Sequence, residues 1–198
     1  MRFKETIKKH VLDASYGPLV LTAMVTVFVV YLVFYQTQTI LKERLRQRLI
    51  AIAATAALQF DAKDVRKLRN VNDLGRKEAK RIVDTMKAIR AHNDDLKFIY
   101  ILRPTDQTNT MEFVADADMM GSLEELDENQ NGILDEEEMP PVPGEPYDVS
   151  EIPRAVEALQ KASADDELNT DKWGTFFSGY APIKDDAGET KAVLGIDV

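Results

Sequence analysis

The residues best suited to chemistry lie in one acidic segment, DENQNGILDEEE, which runs from Asp127 to Glu138. Its spacing matches the twelve-residue loop D-x-[DN]-x-[DN]-G-x5-E at every required position, a pattern that binds Ca²⁺. Gly132 falls at position 6, where the chain must turn sharply around a cation that takes six to eight oxygens. The predicted ligands are side-chain oxygens and, at position 7, a backbone carbonyl: Asp127, Asn129, Asn131, Ile133, Asp135 and Glu138.

The flanks of this EF-hand-like loop differ from those of a paired calcium switch. Ser122 and Glu125 form a capping box, which predicts one helical turn over 123–126. Pro140 and Pro141 then prevent a long outgoing helix. Three carboxylate ligands predict weak binding, with Kd ~10⁻⁴ to 10⁻³ M, so the site would fill outside the cell. The alternative is an acidic, solvated turn without a metal.

An apolar segment near the amino terminus predicts a membrane helix. Residues 14–41 carry no charge, and the 18 residues from Pro18 to Tyr35 would span about 27 Å, close to the ~30 Å hydrocarbon core. A cleaved signal peptide is the alternative, but the apolar run is too long and no A-x-A-like site follows. We therefore expect a cytoplasmic tail over 1–13, a signal anchor over 14–40 and an extracytoplasmic domain over 41–198.

The basic residues beside this segment do not decide its orientation. Four precede it and four follow it, namely Arg2, Lys4, Lys8 and Lys9, then Lys42, Arg44, Arg46 and Arg48. The positive-inside rule is therefore balanced. The short tail is easier to retain than to export, and a weak calcium loop suits the outside of the cell. Both arguments place the bulk of the chain outside the cytoplasm, at the inner or plasma membrane.

Charge and composition exclude several kinds of function. The chain has a net charge of −9, and the stretch between Arg103 and Arg154 holds fifteen acidic residues and no Lys or Arg. Such a surface repels nucleic acid and anionic lipid. The chain has no cysteine, which excludes disulfides and thiolate metal sites, and only two histidines.

Helical periodicity continues beyond the membrane segment, to about Phe60. The apolar stripe of this helix, made of Leu45, Leu49, Ile52 and Ala56, can be a dimer seam or can pack on its own domain. Asp61 is a predicted N-cap. A second helix is predicted from about Asp73 to Ala91, with one apolar face containing Ile82, Met86 and Ile89.

The pattern then changes to that of strands. KFIYILR (97–103) is a predicted central strand, and MEFVAD (111–116) alternates as a half-buried partner. After the acidic loop come a short helix over 152–162 and a hairpin formed by 173–183 and 190–198 around DDAG. This order predicts an α+β domain in which a membrane helix continues into a long helix on an antiparallel sheet.

The segments FIYILRP, EFVADAD, DKWGTFFSGYAPI and AVLGIDV resemble the extracytoplasmic PAS-like sensor domains of bacterial receptors, the Cache (PDC) group. The resemblance covers about Thr37 to Val198. It implies a PAS-like sheet, a homodimeric receptor, and an output of the histidine kinase, diguanylate or adenylate cyclase, or chemoreceptor type. The 198 residues contain no kinase, cyclase or phosphate-loop signature, so we expect the chain itself not to be an enzyme.

The resemblance also implies a small-molecule pocket on one face of the sheet. On the last strand Lys191, Val193, Gly195 and Asp197 share that face, while Ala192, Leu194, Ile196 and Val198 share the packing face. The candidate ligand-binding residues are Asp197, Tyr100, Arg103, Trp173 and Tyr180. Each has a structural alternative, as a core aromatic or a strand-end ion pair. Tyr100 and Arg103 have opposite strand parity, so both reach one pocket only if the strand twists or bulges.

Three classes of function follow from the sequence. The first is the sensor region of a membrane receptor that binds Ca²⁺ and a small ligand. The second is a membrane-tethered calcium-binding scaffold or adhesion domain without a small ligand. The third is an enzyme whose catalytic part lies elsewhere.

Overall fold

The computed structural model describes residues 2–198, with side chains from Tyr16 onward. The side chains of the expected cytoplasmic tail, including its four basic residues, lie outside this range. The chain forms two compact units, one that ends at Arg44 and one from Leu45 to Val198.

The first unit contains the amino-terminal part of one long helix, whose last residues belong to the second unit. Helix α1 covers Arg2–Ala57, and within residues 16–198 it is the one helix that is long and apolar enough to cross a membrane, with a mean hydropathy of 2.3 over its most apolar 18 residues. Its large apolar side chains between Tyr16 and Leu41 are exposed. The hydroxyls of Thr22 and Thr26 donate to carbonyls four residues earlier, at 2.8 and 2.9 Å. Bonds of this kind would satisfy the two hydroxyls in a membrane, where water is absent.

The second unit contains four further helices, one 3₁₀ turn and eight strands. The helical elements are α2 (Ala62–Val65), the 3₁₀ turn Val71–Gly75, α3 (Lys77–Ala91), α4 (Leu123–Leu126) and α5 (Pro153–Glu157). The strands are β1 (Phe98–Pro104), β2 (Thr110–Asp116), β3 (Pro146–Asp148), β4 (Ser163–Ala164), β5 (Asn169–Asp171), β6 (Gly174–Phe176), β7 (Ser178–Lys184) and β8 (Thr190–Asp197).

Six of the strands form one antiparallel sheet in the order β3-β2-β1-β8-β7-β4, while β5 and β6 pair separately. The pairing of β1 with β2 shifts after Ile101, which opposes Ala115, because the next residue, Leu102, opposes Phe113. Val114 is therefore an extra residue in β2, a β-bulge. As a result Val114 and Ala115 both pack on one face of the sheet, and Phe113 packs on the other.

The face of the sheet that carries Val114 packs against helices. The last part of α1 contributes Leu49 and Ala53, which are 1% and 0% exposed, and α3 contributes Ile82 and Met86. On the sheet side this core contains residues of β1, β2, β7 and β8, among them Ile99, Ile101, Val114, Ala181, Leu194 and Ile196. Gly179 lets the helix approach closely, since a Cβ there would lie 2.7 Å from the Cβ of Leu49.

The structure confirms the α+β class and the antiparallel sheet. Of the predicted stripe on α1, Leu49 and Ala56 are buried in the core of their own domain, and Leu45 and Ile52 are partly buried against it. Asp61 is an N-cap, whose carboxylate accepts from the Lys63 N–H at 2.7 Å.

Three predicted elements differ from the observed ones. The helix from about Asp73 begins as a 3₁₀ turn and restarts at Lys77, and the helix over 152–162 is limited to α5. The strand predicted over 173–183 is interrupted at Phe177, since β6 pairs with β5 and β7 pairs with β8. Sequence alternation does not distinguish one long strand from two strands that belong to different sheets.

Candidate functional site

A pocket with a volume of about 260 Å³ opens on the sheet face opposite the helices. Its wall is rich in aromatic side chains, and the acidic loop closes one side of it through Glu137, Glu138, Pro140 and Pro141. The aromatic side chains that line the pocket are Phe98, Tyr100, Phe113, Tyr147, Trp173 and Phe176.

These six rings pack mostly edge to face. Phe113 lies at the centre, 5.6 Å from Trp173 at an interplanar angle of 79° and 5.9 Å from Tyr100 at 64°. Phe98 and Phe176 form a second pair, 5.3 Å apart at 85°. Edge-to-face packing leaves the electron-rich faces of some rings available for other contacts.

Two lysine side chains lie over the faces of some of these rings. The Lys97 Nζ lies 5.2 Å from the ring centroid of Phe98 and 5.9 Å from that of Phe176. The Lys172 Nζ lies 4.3 Å from the Trp173 ring. These distances fall within the about 6 Å range of cation–π attraction, so the wall suits a positively charged group.

Two carboxyl groups are buried at the base of the pocket. Asp116 and Asp197 are 4% and 6% exposed, and burial raises the pKa of each to about 7. The Tyr100 hydroxyl donates to the Asp197 carboxylate at 3.1 Å, and the Asp118 N–H donates to Asp116 at 2.7 Å. Neither carboxyl has an ion-pair partner within 4 Å among the side chains described from Tyr16 onward. A ligand that brings a positive charge would therefore stabilise their ionised forms.

A glycine makes room for the ring above Asp197. Gly195 on β8 is in register with Tyr100 on β1 and with Tyr180 on β7. A Cβ at position 195 would lie 2.3 Å from the Tyr100 ring. The ring of Tyr100 can therefore lie close over the strand only because residue 195 has no side chain.

The rim of the pocket is strongly acidic. Its lining contains eight carboxylate residues and two cationic ones, Arg90 and Lys97. Both guanidinium ends of Arg90 donate to the carboxylate of Asp118, at 2.6 and 2.5 Å. The remaining carboxylates give the opening a negative potential, which attracts cations from solution.

The five candidate ligand residues separate into three groups. Tyr100, Trp173 and Asp197 line the pocket together. Tyr180 lies behind this lining in the core of the same sheet face, with its hydroxyl 3.3 Å from Asp165. Arg103 lies outside the pocket.

Arg103 is directed to the other side of the sheet. Its Nε donates to the Glu112 carboxylate at 2.7 Å, and its Nη1 donates to the Leu68 carbonyl at 3.1 Å. A bulge does occur beside Arg103, but its extra residue is in β2, so β1 keeps a regular alternation. Tyr100 and Arg103 therefore face opposite sides, as their parity requires.

Several pocket residues were absent from the sequence-based candidates: Phe98, Phe113, Asp116, Tyr147, Asp171 and Phe176. Phe98 has the parity of Tyr100 on the same strand, and this was a usable signal. Phe113 and Asp116 are three residues apart, so regular alternation places them on opposite faces. Only the bulge at Val114 brings both to the pocket.

The predicted calcium loop has side chains that face one another. The two carboxylate oxygens of Asp127 accept from the Asn131 and Gly132 N–H groups at 3.1 and 2.8 Å. The carboxylate of Asp135 accepts from the side-chain amides of Asn129 and Asn131 at 2.8 and 2.9 Å. Positions 1, 3, 5 and 9 of the pattern are thus linked in one network.

The last predicted ligand closes this network. The Glu138 carboxylate accepts from the Asn129 N–H at 3.2 Å and from the Asp135 N–H at 3.1 Å. Gln130 and Gly132 have φ values of 57° and 87°, so the backbone turns twice through the left-handed region. Before the loop, Glu125 accepts from the Ser122 N–H at 3.2 Å, which confirms the capping box and helix α4.

The donor set of this loop is consistent with Ca²⁺, a hard cation that prefers oxygen ligands. Asp127, Asp135 and Glu138 would supply carboxylates, two Asn residues would supply carboxamide oxygens, and Ile133, which is 62% exposed, would supply its backbone carbonyl. In the described part of the chain, however, no three His, Cys, Asp or Glu side chains already stand around a common point. The carboxylates of the loop instead accept hydrogen bonds from N–H groups of the loop itself.

Comparisons with known proteins add little to this geometry. No family profile matches the sequence, and no curated protein is significantly similar to it. Among solved structures, the chain is similar to one described as the extracellular domain of a proposed histidine kinase, mmHK1S-Z2, with 17% identity and a TM-score of 0.40. The alignment covers 80% of this chain and 54% of that one, so the chain spans about half the length of that structure.

Proposed function

We propose that this chain is the extracytoplasmic sensor region of a membrane-anchored bacterial signal-transduction receptor. In this proposal the pocket binds a small cationic ligand of the amine class, the loop binds Ca²⁺, and the kinase or cyclase output lies outside these 198 residues. One observation carries the proposal: a pocket with six aromatic side chains stands over two buried carboxyl groups, neither of which has an ion-pair partner within 4 Å among the described side chains.

The chemistry of the pocket favours an amine over an anion or a neutral solute. An ammonium group can pair with Asp116 and Asp197 while its carbon atoms lie against ring faces, and both contacts are strong where water is excluded. The volume of about 260 Å³ is just below the roughly 300–1,000 Å³ of common small-molecule sites, which indicates a small ligand.

The membrane assignment rests on α1 and on the predicted weakness of the calcium loop. A helix with a long exposed apolar surface is stable in lipid. A loop with three carboxylate ligands fills at the millimolar calcium found outside cells. We therefore propose a single span in this chain with the sheet domain outside the cytoplasm. The sequence resemblance to Cache sensors adds the proposal of a homodimer.

In the calcium loop, Asp127, Asn129, Asn131, Asp135 and Glu138 would hold the ion with the Ile133 carbonyl. Bound calcium would supply a positive charge between the carboxylates of Asp127 and Glu138, at the two ends of the loop. Each Asn must present its carboxamide oxygen to the ion, so the present bonds from their side-chain amides to Asp135 would be replaced.

The ligand class can be tested by calorimetry on the 198-residue chain in detergent micelles at pH 8, where Asp116 and Asp197 are ionised. Ethanolamine, putrescine and tetramethylammonium are the cationic probes, and acetate is the anionic control. We expect binding of at least one cation, and a loss of about tenfold or more in Asp197→Asn, since a hydrogen bond to a charged group contributes roughly 1.5–3 kcal/mol.

Two results would contradict this proposal. Binding of acetate in preference to all three cations would reverse the assigned ligand class. If none of the cations binds while calcium does, a membrane-tethered calcium-binding scaffold becomes the better description of the chain.

A further inference from the structure

The acidic loop and the pocket share a wall. Glu138, the last predicted calcium ligand, lines the pocket, and so do its neighbours Glu137, Pro140 and Pro141. Met139 lies between them, and its carbonyl accepts a hydrogen bond from the indole N–H of Trp173 at 3.0 Å. The residue that would close the calcium site is thus one peptide bond from a residue that holds the pocket's only indole ring.

Trp173 connects this wall to the interior of the pocket. Its backbone N–H donates to one carboxylate oxygen of Asp171 at 2.8 Å, and the Tyr147 hydroxyl donates to the other at 2.9 Å. Its ring packs on Phe113 and lies 6.2 Å from the ring of Tyr147. A displacement of Met139 would therefore move the indole and its contacts inside the pocket.

Calcium would act on Glu138 directly. Its two carboxylate oxygens now accept from N–H groups of Asn129 and Asp135, at positions 3 and 9 of the loop. At position 12 of a calcium loop, both oxygens bind the ion instead. Glu138 is half-buried, belongs to the loop and lines the pocket. Because Met139 is the next residue, we expect a change in the position of Glu138 to move the Met139 backbone.

We propose that calcium occupancy of the loop sets the position of Trp173, so that the loop regulates the pocket rather than only stabilising the fold. This inference rests on the calcium site proposed above. Because coupling between two sites is reciprocal, a change at Trp173 must also change calcium affinity.

The chain provides its own probe, because Trp173 is its single tryptophan. Calcium is titrated into the 198-residue chain in detergent, with binding followed by calorimetry and Trp173 followed by its emission. We expect the emission to change with the same midpoint as the heat of binding. Glu138→Gln should abolish both signals, and Glu136→Gln, at a loop position that is neither a predicted ligand nor part of the pocket, should keep both.

A second pair of variants tests the reciprocal effect. Trp173→Phe keeps an aromatic ring and removes the N–H that donates to Met139. We expect it to weaken calcium binding roughly two- to tenfold, the range for loss of one hydrogen bond. Thr175→Val removes the bond between Thr175 and Thr170 in the same β5–β6 hairpin, outside the pocket, and should leave calcium affinity unchanged.

The outcomes separate the two proposals. Calcium binding by calorimetry, with unchanged Trp173 emission and with unchanged affinity in Trp173→Phe, would overturn the coupling and leave the calcium site in place. Absence of calcium binding in the unmodified chain would overturn both.

Discussion

The two faces of the sheet differ in composition although the same strands supply both. On β8, Leu194 and Ile196 face the helices and are fully buried among aliphatic side chains. Their neighbours Gly195 and Asp197 face the pocket, where burial raises the pKa of the Asp197 carboxyl to about 7. Burial of apolar groups stabilises the fold, whereas burial of an unpaired carboxyl opposes it. The helix face therefore stabilises the fold. The pocket face keeps buried carboxyl groups that lower stability, and such groups indicate a binding site.

The largest effect should come from a cavity on the helix face. Ile196→Ala removes part of a fully buried side chain and should lower the free energy of unfolding by about 2–5 kcal/mol. Urea unfolding in detergent micelles measures this loss. Leu168→Ala, at a position that is 66% exposed, should change stability by less than about 0.5 kcal/mol. Equal losses in the two variants would contradict the assignment of the core.

A smaller effect is expected where the strand meets the pocket. Gly195→Ala places a Cβ 2.3 Å from the Tyr100 ring, so the ring must move. We expect a loss of about 1–3 kcal/mol in stability together with loss of amine binding. Gly75→Ala is the matched control, because nothing lies within 4 Å of a Cβ there. Retention of both stability and amine binding in Gly195→Ala would show that Tyr100 does not depend on this glycine.

The smallest expected effect, when it is expressed per pH unit, is a pH dependence of the stability that comes from the pocket face. Asp116 and Asp197 have a pKa of about 7 in the folded chain, against 3.8 in the unfolded chain, so the folded state keeps protons that the unfolded state loses. Their contribution to stability is full below about pH 4 and is lost as the pH rises through 7. Each group changes the free energy of unfolding by at most about 1.4 kcal/mol per pH unit.

Asp197→Asn isolates one of these groups. Urea midpoints measured from pH 5 to pH 8 should fall less steeply in this variant than in the unmodified chain. Parallel curves would mean that Asp197 does not titrate in this range.

The sequence was sufficient for features that depend on local pattern. The alternation of AVLGIDV predicted which residues of β8 face the helices, and the core of the helix face confirms Ala192, Leu194 and Ile196 on that side. The cap at Asp61 and the capping box at Ser122 were predicted because a side chain and a nearby N–H form each of them.

Features that depend on pairing between distant segments were not predictable in the same way. The separation of β6 from β7 follows from which strands each one pairs with, and no alternation pattern records it. Arg103 and Asp116 show the same limit. Both are polar residues on neighbouring strands, yet Asp116 lines the pocket and Arg103 pairs with Glu112 on the other side. The side of Arg103 follows from the regular alternation of β1, whereas Asp116 reaches the pocket through the bulge in β2, which only the register between β1 and β2 shows.

The bulge at Val114 has a consequence for how this domain can change in length. The extra residue is absorbed by the bulge, so Phe113 and Asp116 reach the same side although they are three positions apart. Deletion of a single residue between them would leave them two positions apart, and regular alternation would keep both on the pocket side. Loss of the bulge without a change in length would instead turn one of the two away from the pocket. Among related chains, this aromatic and this acid should therefore still share the pocket where one of the residues between them is missing and the strand is regular.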